Sequence, residues 1–529
     1  MVKRQNRTRK SVAGRAAKFA SVLTLAGGAT LFLTLTAVMW AQSTATDPGV
    51  RGIQWCNTPT PCQNTVGTFQ PTLTSQEIAS EPAATTQFET GAVVACNPNG
   101  SNVTGCGLGP RFNGNSCSSC HAEPVTGGSS PSGLSAGQCK SPCSQNPLFQ
   151  VYLGDGTDTF VNTMPSFETL NGPVLIPRFP YVSNTTTPNG LVQQLFVIGG
   201  TGSSYPNCPI TQPNFTQAAA QDNLVFRQPL PTFGDGYIDF IENKDILNNL
   251  NSNLPLKTSL GIGGVANIVA DGSVARFGWK AQWRAILPAI LAEEKVEEGI
   301  SNELKPTEID QTTGCVINPV PEDATNYSYL ETSQTPWFFL ANAERDAIFV
   351  RFLSAPVSPS TQSSGSGGLG AAGCPDSANN GSSCSNGQTY FNSIGCVLCH
   401  TTSYSTPPAS IPSQGHTTLN LFSDLLLHHM GSCLADNITQ GSAQGDMWRT
   451  PPLWDAGQRL SFMHDARTTS IVTAIEDHSD QYCTGGLSGN PSYPASEADA
   501  VIKAFNNLST VSGVDGTAQQ DLVNFLRSL

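Results

Sequence analysis

Charged side chains are scarce in this sequence. Only 12% of its 529 residues are Asp, Glu, Lys or Arg, against roughly 25% in typical soluble proteins, so its surface must be built largely from Ser, Thr, Asn and Gly. Positive charge is the scarcer kind, and the net charge is −13 at pH 7. Nucleic acid is therefore excluded as a partner, because too little positive charge is present to neutralise phosphates. A protein partner that is steered by charge should be basic.

Histidine is scarcer still, with seven residues beside sixteen cysteines, and two of the seven directly follow a pair of cysteines. Residues 111–121 read RFNGNSCSSCH and residues 391–400 read FNSIGCVLCH, so the frame Phe-Asn-x-x-x-Cys-x-x-Cys-His occurs twice. At this composition, chance predicts about 0.006 matches to Cys-x-x-Cys-His in the whole chain. The repeat therefore indicates a chemistry that is used twice.

Cys-x-x-Cys-His is typical of covalent haem c attachment. The two thiols add across the haem vinyl groups, and the adjacent imidazole binds the iron. The sequence thus predicts two covalently bound haem c groups, with His121 and His400 as proximal ligands of the iron. The predicted attachment residues are Cys117, Cys120, Cys396 and Cys399. The alternatives are weaker, because a redox dithiol has no need of the histidines and a zinc ribbon would not require both of them.

Positive charge collects at the N-terminus. Lys and Arg residues within segment 3–18 precede an uncharged stretch at 19–40, and the small residues AQSTA follow. This order is typical of an export signal, so residues 1–45 are predicted to be a signal peptide, cleaved near Ala41 or Ala45, of a periplasmic or otherwise exported protein. The alternative is an uncleaved membrane anchor at 19–40, since that stretch is long for a signal peptide.

Twelve cysteines remain after the four predicted haem attachments are subtracted from the sixteen in the chain. An even number of cysteines in an oxidising compartment predicts disulfides. Close pairs such as Cys56–Cys62 and Cys374–Cys384 are candidates for staples that close loops.

The predicted fold class is mainly α, with two cytochrome c-type helical domains that each carry one covalent haem and long loop insertions stapled by disulfides. The N-terminal haem c domain is predicted at 46–354, a Gly/Ser/Pro-rich linker at 355–386, and the C-terminal cytochrome c domain at 387–529. Segments 46–110 and 122–225 show few helical periods, so both are predicted to be ordered loops.

Four helices are predicted from apolar spacing and from capping residues. The stretch at 283–291 has apolar residues at helical spacing, with a kink expected at Pro288, and a second helix is expected near 337–353. Segment 423–431, SDLLLHHMG, has a capping residue at its start and a glycine at its end. The chain should end in an amphipathic helix that follows a Thr517–Gln520 capping box. The buried stripe of that helix is predicted to be Leu522, Phe525, Leu526 and Leu529.

Landmarks along the chain resemble the di-haem oxidoreductase family, often labelled thiol oxidoreductase-like, within the bacterial di-haem cytochrome c peroxidase superfamily. They include GLGPRFNGNSCSSCH (107–121), ARFGWKAQW (275–283), FNSIGCVLCH (391–400), WRTPPLWDAG (448–457) and FMHDARTTSIVTAIEDHS (462–479). The resemblance implies one haem per cytochrome domain, electron transfer between the haems, and a substrate that is reduced or oxidised at one iron.

The remaining histidines decide which haem can react. A haem iron with protein ligands on both faces transfers electrons, whereas an open face can bind peroxide or dioxygen. His478 follows Ile471 and Ile475 on one helical face, so it should point into an apolar cavity. It is predicted to be the second axial ligand at the C-terminal haem, and the alternative is a core histidine.

No histidine other than His121 precedes His400, so the N-terminal haem is predicted to have an open or water-filled sixth position. Less favoured ligands for that position are Met164, His416, His428 and His429.

Further site residues are implied by the resemblance. Trp279 resembles the tryptophan that relays electrons between the two haems, and the alternative is a core aromatic. Glu297 matches the distal glutamate that moves a proton during peroxide cleavage, and the alternative is a solvated carboxylate. Arg449 and Arg467 are candidates for contact with haem propionates.

Ala289 stands where relatives often carry a glutamine, which weakens the peroxidase prediction. Relatives also bind Ca²⁺ between the domains, so one calcium ion is a further candidate cofactor.

The leading hypothesis is an exported di-haem c-type oxidoreductase, peroxidase-like, that passes electrons from an external donor through the C-terminal haem to a reactive N-terminal haem. Its expected partners are a small-molecule oxidant such as peroxide, or another substrate, and an electron-donor protein of the small cytochrome or cupredoxin kind. A membrane is expected as a partner only through the alternative N-terminal anchor. The competing hypotheses are a pure electron-transfer cytochrome c with both haems six-coordinate, and an oxygenase or protein-modifying oxidase on the same scaffold.

Overall fold

The computed structural model of the chain describes the larger part of its residues. All of them belong to one compact unit, residues 42–529, and no helix among them is long and apolar enough to span a membrane. The predicted signal and the predicted linker lie mostly outside the described residues, so the predicted domain boundaries stay predictions. The described residues are 45–49, 67–70, 72–92, 107–130, 146, 164–182, 185, 187, 199–200, 207–208, 212–326, 339–356, 382–483, 486, 493–508 and 518–529.

Helices dominate the described residues and the strands are short, which confirms the predicted mainly α class. The α-helices are α1 (Ser75–Ile78), α2 (Glu81–Glu89), α3 (Phe215–Ala220), α4 (Asp235–Asp239), α5 (Asn243–Asn251), α6 (Leu254–Leu260), α7 (Ile286–Glu293), α8 (Asn342–Phe352), α9 (Ser382–Ser393), α10 (Ile471–Glu476), α11 (Asp499–Asn507) and α12 (Ala518–Arg527). A π-helical turn lies at Glu294–Glu298, and 3-10 turns lie at Cys117–Ser119, Cys396–Leu398 and Pro412–Gln414.

The strands pair into four antiparallel two-stranded sheets, namely β1 with β3, β2 with β4, β5 with β6, and β7 with β8. Their bounds are β1 (Arg111–Phe112), β2 (Ile176–Arg178), β3 (Gly199–Gly200), β4 (Val225–Arg227), β5 (Tyr404–Ser405), β6 (Thr418–Leu419), β7 (Leu427–His429) and β8 (Met447–Arg449).

The last helix packs against the helix that leads into the second Cys-x-x-Cys-His turn. α9 and α12 lie side by side, with the ring centres of Phe391 and Phe525 5.5 Å apart. Phe391 also lies 6.2 Å from the ring of His400. The apolar stripe predicted for α12 is confirmed as buried: Leu522, Phe525, Leu526 and Leu529. Thr517 of the predicted capping box lies outside the described residues.

A second helix pair borders the first Cys-x-x-Cys-His turn. α2 packs on α8, where the rings of Phe88 and Phe349 stack with their centres 4.2 Å apart. Phe88 lies 6.3 Å from the ring of His121. α8 confirms the helix expected near 337–353, although its first residue is Asn342. Each predicted haem turn is therefore bordered by an aromatic contact between two helices.

The prediction of ordered loops is wrong at α3 in segment 122–225, and at α1 and α2 in segment 46–110. Two local signals precede α1 and α2. Thr74 and Glu77 form a capping box at α1, and Pro82 occupies the first turn of α2, where a proline fits a helix.

The repeated sequence frame has two different structures. Phe391 belongs to α9, whereas Phe112 lies in β1 and packs with Leu108 and Ile300. Phe88, from a helix earlier in the chain, contacts the first haem turn where Phe391 contacts the second. The two copies of the frame therefore share their local sequence but differ in the aromatic residue that contacts the histidine.

Segment 423–431 does not form the predicted helix. Leu427–His429 is strand β7, which pairs with β8 on one side, and Leu427 also forms a β-bridge with Val265. The leucines that precede this strand are fully buried as well. A short apolar run that is buried on all sides lacks the one-sided spacing of a surface helix, so strand and helix cannot be separated by periodicity here.

The helix predicted at 283–291 corresponds to α7, which begins at Ile286 rather than at Trp283. Trp283 instead forms a β-bridge with Phe277. Pro288 lies in the first turn of α7, where its missing N–H would have no intrahelical partner, so the proline begins the helix rather than kinking it. α7 continues into the π-helical turn, which ends at Gly299 with a φ of 73°.

Two disulfides between described residues link distant segments of the chain. Their cysteines are 107 and 50 residues apart, so these bonds do not staple local loops. They are Cys208–Cys315 and Cys433–Cys483. Of the predicted close pairs, Cys384 is disulfide-bonded, whereas Cys374, Cys56 and Cys62 lie outside the described residues.

Replacing Phe525 by alanine should lower the free energy of unfolding by about 3–5 kcal/mol, because the substitution leaves a cavity in a close-packed core. Phe525 is fully buried, and its ring contacts those of Phe391 and Phe422. Urea denaturation followed by circular dichroism measures the change. Ile78→Ala is the control, since Ile78 is 46% exposed and should change the free energy by less than about 0.5 kcal/mol. Equal losses in the two variants would contradict the helix pairing.

Two candidate haem cavities

Each Cys-x-x-Cys-His turn lines a cavity of its own. Cavity 1 contains the turn at 117–121, and cavity 2 contains the turn at 396–400. Their empty volumes, including the part that opens to solvent, are about 1490 and 1460 Å³. Two cavities of nearly equal size with the same turn in the wall fit two copies of the same kind of group.

The two turns fold alike. In each, the backbone N–H of the histidine donates to the carbonyl of the first cysteine, at 3.0 Å for His121 and 2.9 Å for His400. All four motif cysteines are free thiols. Burial raises the pKa of three of them, so these thiols stay protonated: Cys117, Cys120 and Cys396. A redox dithiol acts through a thiolate, so this environment favours haem attachment.

Two imidazoles face each other in cavity 2. The ring centres of His400 and His478 lie 6.4 Å apart. Nδ1 of His400 donates to the carbonyl of Phe422 at 3.0 Å, and Nδ1 of His478 donates to that of Ala474 at 2.6 Å, so Nε2 of each ring is left for a ligand. Imidazoles that bind one metal from opposite sides, with bonds of about 2 Å, have ring centres about 6 Å apart. The pair therefore fits a six-coordinate haem iron.

Burial lowers the pKa of both rings, to about 4 for His400, where the neighbouring His478 adds to the effect. Both imidazoles are therefore neutral near pH 7, which is the form that binds a metal. The rest of cavity 2 is largely apolar, with residues such as Ile471, Ile475 and Phe505 in its wall.

Cavity 1 contains one imidazole. Nδ1 of His121 donates to the carbonyl of Gly128 at 3.1 Å, and burial lowers the pKa of the ring. Among the described residues that line this cavity, none other than His121 is a histidine or a methionine. The less favoured ligands do not line it either: Met164, His416, His428 and His429.

Four glutamates from the end of α7 and the π-helical turn line cavity 1: Glu293, Glu294, Glu297 and Glu298. Oε2 of Glu297 accepts a hydrogen bond from Nδ2 of Asn113 at 3.1 Å, and the carbonyl of Glu297 accepts one from the Asn113 backbone N–H at 2.7 Å. Burial, with a contribution from Glu293, raises the pKa of Glu297 to about 8. Glu297 therefore lies in the same cavity as His121, with a pKa near neutrality.

Asn113 is the second residue of the repeated Phe-Asn frame. Its side chain is 4% exposed and holds Glu297, whereas the equivalent Asn392 is exposed. The repeated frame includes Asn113, but its contact with Glu297 joins residues 184 apart in the chain and cannot be read from local spacing.

Trp279 lines both cavities. Its Nε1 donates to the carbonyl of Gln228 at 2.8 Å, and its ring lies edge-on to Trp448 and His464, with centres 6.2 and 6.3 Å away. Those two rings stack on each other at 3.8 Å. An aromatic cluster thus separates the cavities, with Trp279 in contact with each.

Of the two arginines predicted to contact propionates, the structure brings one to the cavities. Arg449 is 5% exposed and lines both. Arg467 lines neither: its Nη2 pairs with Asp465 at 2.7 Å and its Nη1 lies 3.3 Å from Sγ of Cys483. Arg459, which no sequence pattern marked, also lines both cavities.

His428 lies in the wall of cavity 2 with both ring nitrogens engaged. Nδ1 binds Oε2 of Glu497 at 2.7 Å, and Nε2 binds Oδ2 of Asp424 at 2.9 Å. In the described part of the chain, Cys399, Asp424 and His428 are the one group with the spacing of metal ligands. Because Cys399 is a predicted haem attachment residue, this group is a poor calcium site. The predicted calcium ion between the domains stays a prediction.

Comparisons with known proteins agree with haem redox chemistry. Residues 373–485 match a family model described as "Di-haem oxidoreductase, putative peroxidase". The matched segment contains the second Cys-x-x-Cys-His turn, which lines cavity 2. Over that segment the chain is similar to the di-haem oxidoreductase family, in agreement with the resemblance read from the sequence.

Similarity to solved structures is distant. One neighbour is hydrazine synthase of Kuenenia stuttgartiensis, with 17% identity and a TM-score of 0.19 over 37% of this chain and 56% of that chain. Another is a MauG-like protein associated with microbial copper homeostasis, with 13% identity and a TM-score of 0.24 over 56% of this chain and 88% of that chain. This chain thus covers 56% of the length of the hydrazine synthase chain. A search of curated proteins finds no match.

The denatured protein should retain two covalent haems per chain. Replacing Cys117 and Cys120 by serine should leave one, and replacing Cys396 and Cys399 should also leave one, because each turn anchors its own haem through two thioethers. Intact-mass spectrometry and the pyridine haemochrome spectrum count the haems. Haem that can be extracted by acid acetone, or bound zinc, would remove the basis for covalent attachment.

Proposed function

We propose that this chain is an exported di-haem c-type oxidoreductase that reduces peroxide. Electrons from an external donor enter at cavity 2, and the peroxide is reduced in cavity 1. When bound, the two haems supply electron transfer in cavity 2 and peroxide activation in cavity 1. The overall reaction consumes one hydrogen peroxide, two electrons and two protons, and it yields two waters.

The observation that carries this proposal is the difference between the two cavities. Cavity 2 offers two neutral imidazoles at the spacing for one metal ion, His400 and His478. In cavity 1, the described lining residues offer His121 without a second imidazole or thioether. A pure electron carrier needs protein ligands on both faces of both irons, so the asymmetry favours an enzyme.

Glu297 is the candidate acid–base group for the peroxide. As the carboxylate, it takes a proton from one peroxide oxygen, and it returns that proton to the other oxygen as the bond between them breaks. Asn113 holds one carboxylate oxygen at 3.1 Å, which keeps the group oriented. Ala289, at the position where relatives carry a glutamine, weakens the peroxidase prediction, and Glu297 supports it by supplying an acid–base group in cavity 1.

Trp279 is the candidate electron relay. It contacts both cavities, and its Nε1 bond to Gln228 fixes the ring. The electron donor is proposed to be a basic small cytochrome or cupredoxin, because the chain carries a net charge of −13. Export is proposed from the N-terminal signal pattern and agrees with an oxidising location for the disulfides.

Ferric protein should show one high-spin haem and bind cyanide at one iron, because the described residues that line cavity 1 supply His121 and no second imidazole or thioether. His478→Ala should remove the second imidazole of cavity 2, add a second high-spin signal and open that iron to cyanide. Electron paramagnetic resonance and cyanide titration measure both effects. His429→Ala is the control, since that ring pairs with Asp446 and does not line either cavity.

Two results would overturn the assignment. A wild-type spectrum that is wholly low-spin and unresponsive to cyanide and peroxide, in both oxidised and half-reduced protein, would favour the electron carrier. An unchanged spectrum in His478→Ala would make His478 a core histidine.

Glu297→Gln should slow the reaction with peroxide by about 10²–10⁴-fold, the usual contribution of a general acid–base group. Burial raises the pKa of Glu297 to about 8, so the carboxylate forms as the pH rises through that value. The wild-type rate constant should therefore increase with pH up to about 8, and this dependence should vanish in the variant. Stopped-flow absorbance measures the rates.

Two matched variants sharpen the Glu297 test. Glu303→Gln changes an exposed glutamate outside cavity 1 and should leave the rate unchanged. Asn113→Leu removes a hydrogen bond that lowers the pKa of Glu297, so its pH profile should move to higher pH. A Glu297→Gln enzyme with full activity and an unchanged profile would exclude the acid–base role.

A further inference from the structure

Four of the described residues line both cavities: Trp279, Arg449, Pro452 and Arg459. We call this set the shared wall. It carries two positive charges and no negative charge. Buried charges are costly unless they are paired, so the partners of the two guanidinium groups decide what the wall is built to hold.

Neutral groups are the partners of Arg449. Its Nε donates to the carbonyl of Gly278 at 2.9 Å, and its Nη1 donates to that of Thr450 at 3.4 Å. The Nε of Arg459 is buried and has no hydrogen-bond partner among the described residues. No ion pair within 4.0 Å joins either arginine to a carboxylate in the described parts of the chain.

The nearest acidic groups do not neutralise the wall. Asp235 lines cavity 1 and interacts with Arg449, but burial raises the pKa of this carboxyl to about 8, so it is largely uncharged at pH 7. Asp455 interacts with Arg459 and Asp424 with Arg449, but neither forms an ion pair with its arginine, and Asp424 pairs with His428 instead. Burial also lowers the pKa of both guanidinium groups, to about 10 for Arg449. The wall therefore keeps an excess of positive charge that faces both cavities.

We propose that Arg449 and Arg459 form one anion clamp, which binds a propionate carboxylate from each of the two haems across the shared wall. The proposal rests on the proposed function only for the presence of two haems, and not for the peroxidase reaction. Carboxylates are the anions that such cofactors carry, and the planar guanidinium fork of arginine binds them through paired hydrogen bonds.

The clamp has an electrostatic consequence. A buried positive charge near a haem stabilises the reduced form, which carries one more electron, and therefore raises the reduction potential. Because the same two arginines face both cavities, one substitution should move both potentials in the same direction. A charge that lies against one haem alone should shift that potential more than the other, because the interaction weakens with distance. Anchoring both cofactors beside Trp279 also holds them against the proposed electron relay.

The test uses the fully haem-loaded chain. Arg459→Gln removes the charge and keeps much of the length of the side chain, and Arg459→Lys keeps the charge but lacks the fork. Arg467→Gln is the matched control, because that arginine pairs with Asp465 and lines neither cavity. Spectroelectrochemical titration at low salt, where screening is weakest, measures both midpoint potentials in each variant.

Both potentials should fall in Arg459→Gln, fall less in Arg459→Lys and stay at the wild-type values in Arg467→Gln. A shift at one haem only, no shift at either, or an equal shift in Arg467→Gln would overturn the clamp. If Arg459→Gln does not accumulate, resonance Raman spectra of Arg459→Lys decide the question. Altered propionate bending bands at both haems support the clamp, and unaltered bands at either haem overturn it.

Failure of the clamp and failure of the peroxidase proposal can be told apart. Arg459→Gln should still bind cyanide at one iron, because His121 and the open position of cavity 1 are unchanged. Paired shifts in a protein that never binds cyanide would support the clamp and reject the peroxidase. Cyanide binding at one iron without paired shifts of the two potentials would reject the clamp and agree with the peroxidase proposal.

Discussion

One hydrogen bond recurs at the three cavity histidines that are predicted to bind iron, and the proposed site depends on it. Nδ1 of His121, His400 and His478 donates to a backbone carbonyl. A buried ring must satisfy its polar atoms, and a carbonyl that takes the proton of Nδ1 leaves Nε2 as the nitrogen available to a metal. The loops and helices around both cavities therefore act first by fixing the orientation of an imidazole. Which reactions follow depends on what faces that imidazole.

The two Cys-x-x-Cys-His turns fold alike, but the remaining walls of their cavities differ in polarity. Around His400, the wall is mostly apolar and supplies a second imidazole, which suits an iron that exchanges electrons without binding substrate. Around His121, the wall carries glutamates whose pKa values burial raises, to about 8 for Glu297 and about 7 for Glu298. Carboxyl groups with such values can both give and take a proton near neutral pH. In the proposed enzyme, the polar wall of cavity 1 would exchange protons, and the apolar wall of cavity 2 would hold an iron between two imidazoles.

The shared wall joins these two environments. It places one aromatic ring and two cations where both cavities meet, so the proposed electron relay and the proposed electrostatic tuning would use the same few residues. Lys280 and Arg227 extend this positive region behind Trp448, at 4.2 and 5.3 Å from its ring centre, but they pair with Asp436. Charge is thus compensated behind the aromatic cluster and left uncompensated at the wall itself, where cofactor carboxylates would lie.

The sequence by itself determined the positions of the two Cys-x-x-Cys-His turns, the buried stripe of the terminal helix and the placement of His478 beside Ile471 and Ile475, because each depends on spacing over a few residues. Covalent attachment needs two thiols and an imidazole within one turn, and the buried stripe of α12 follows from helical period alone. Tertiary structure decided the rest. Phe88 rather than Phe112 packs beside His121, Asn113 holds Glu297 from far away in the chain, and Arg459 replaces Arg467 at the cavities. These contacts join segments that are remote in sequence, and local spacing cannot encode which distant side chain fills a given wall.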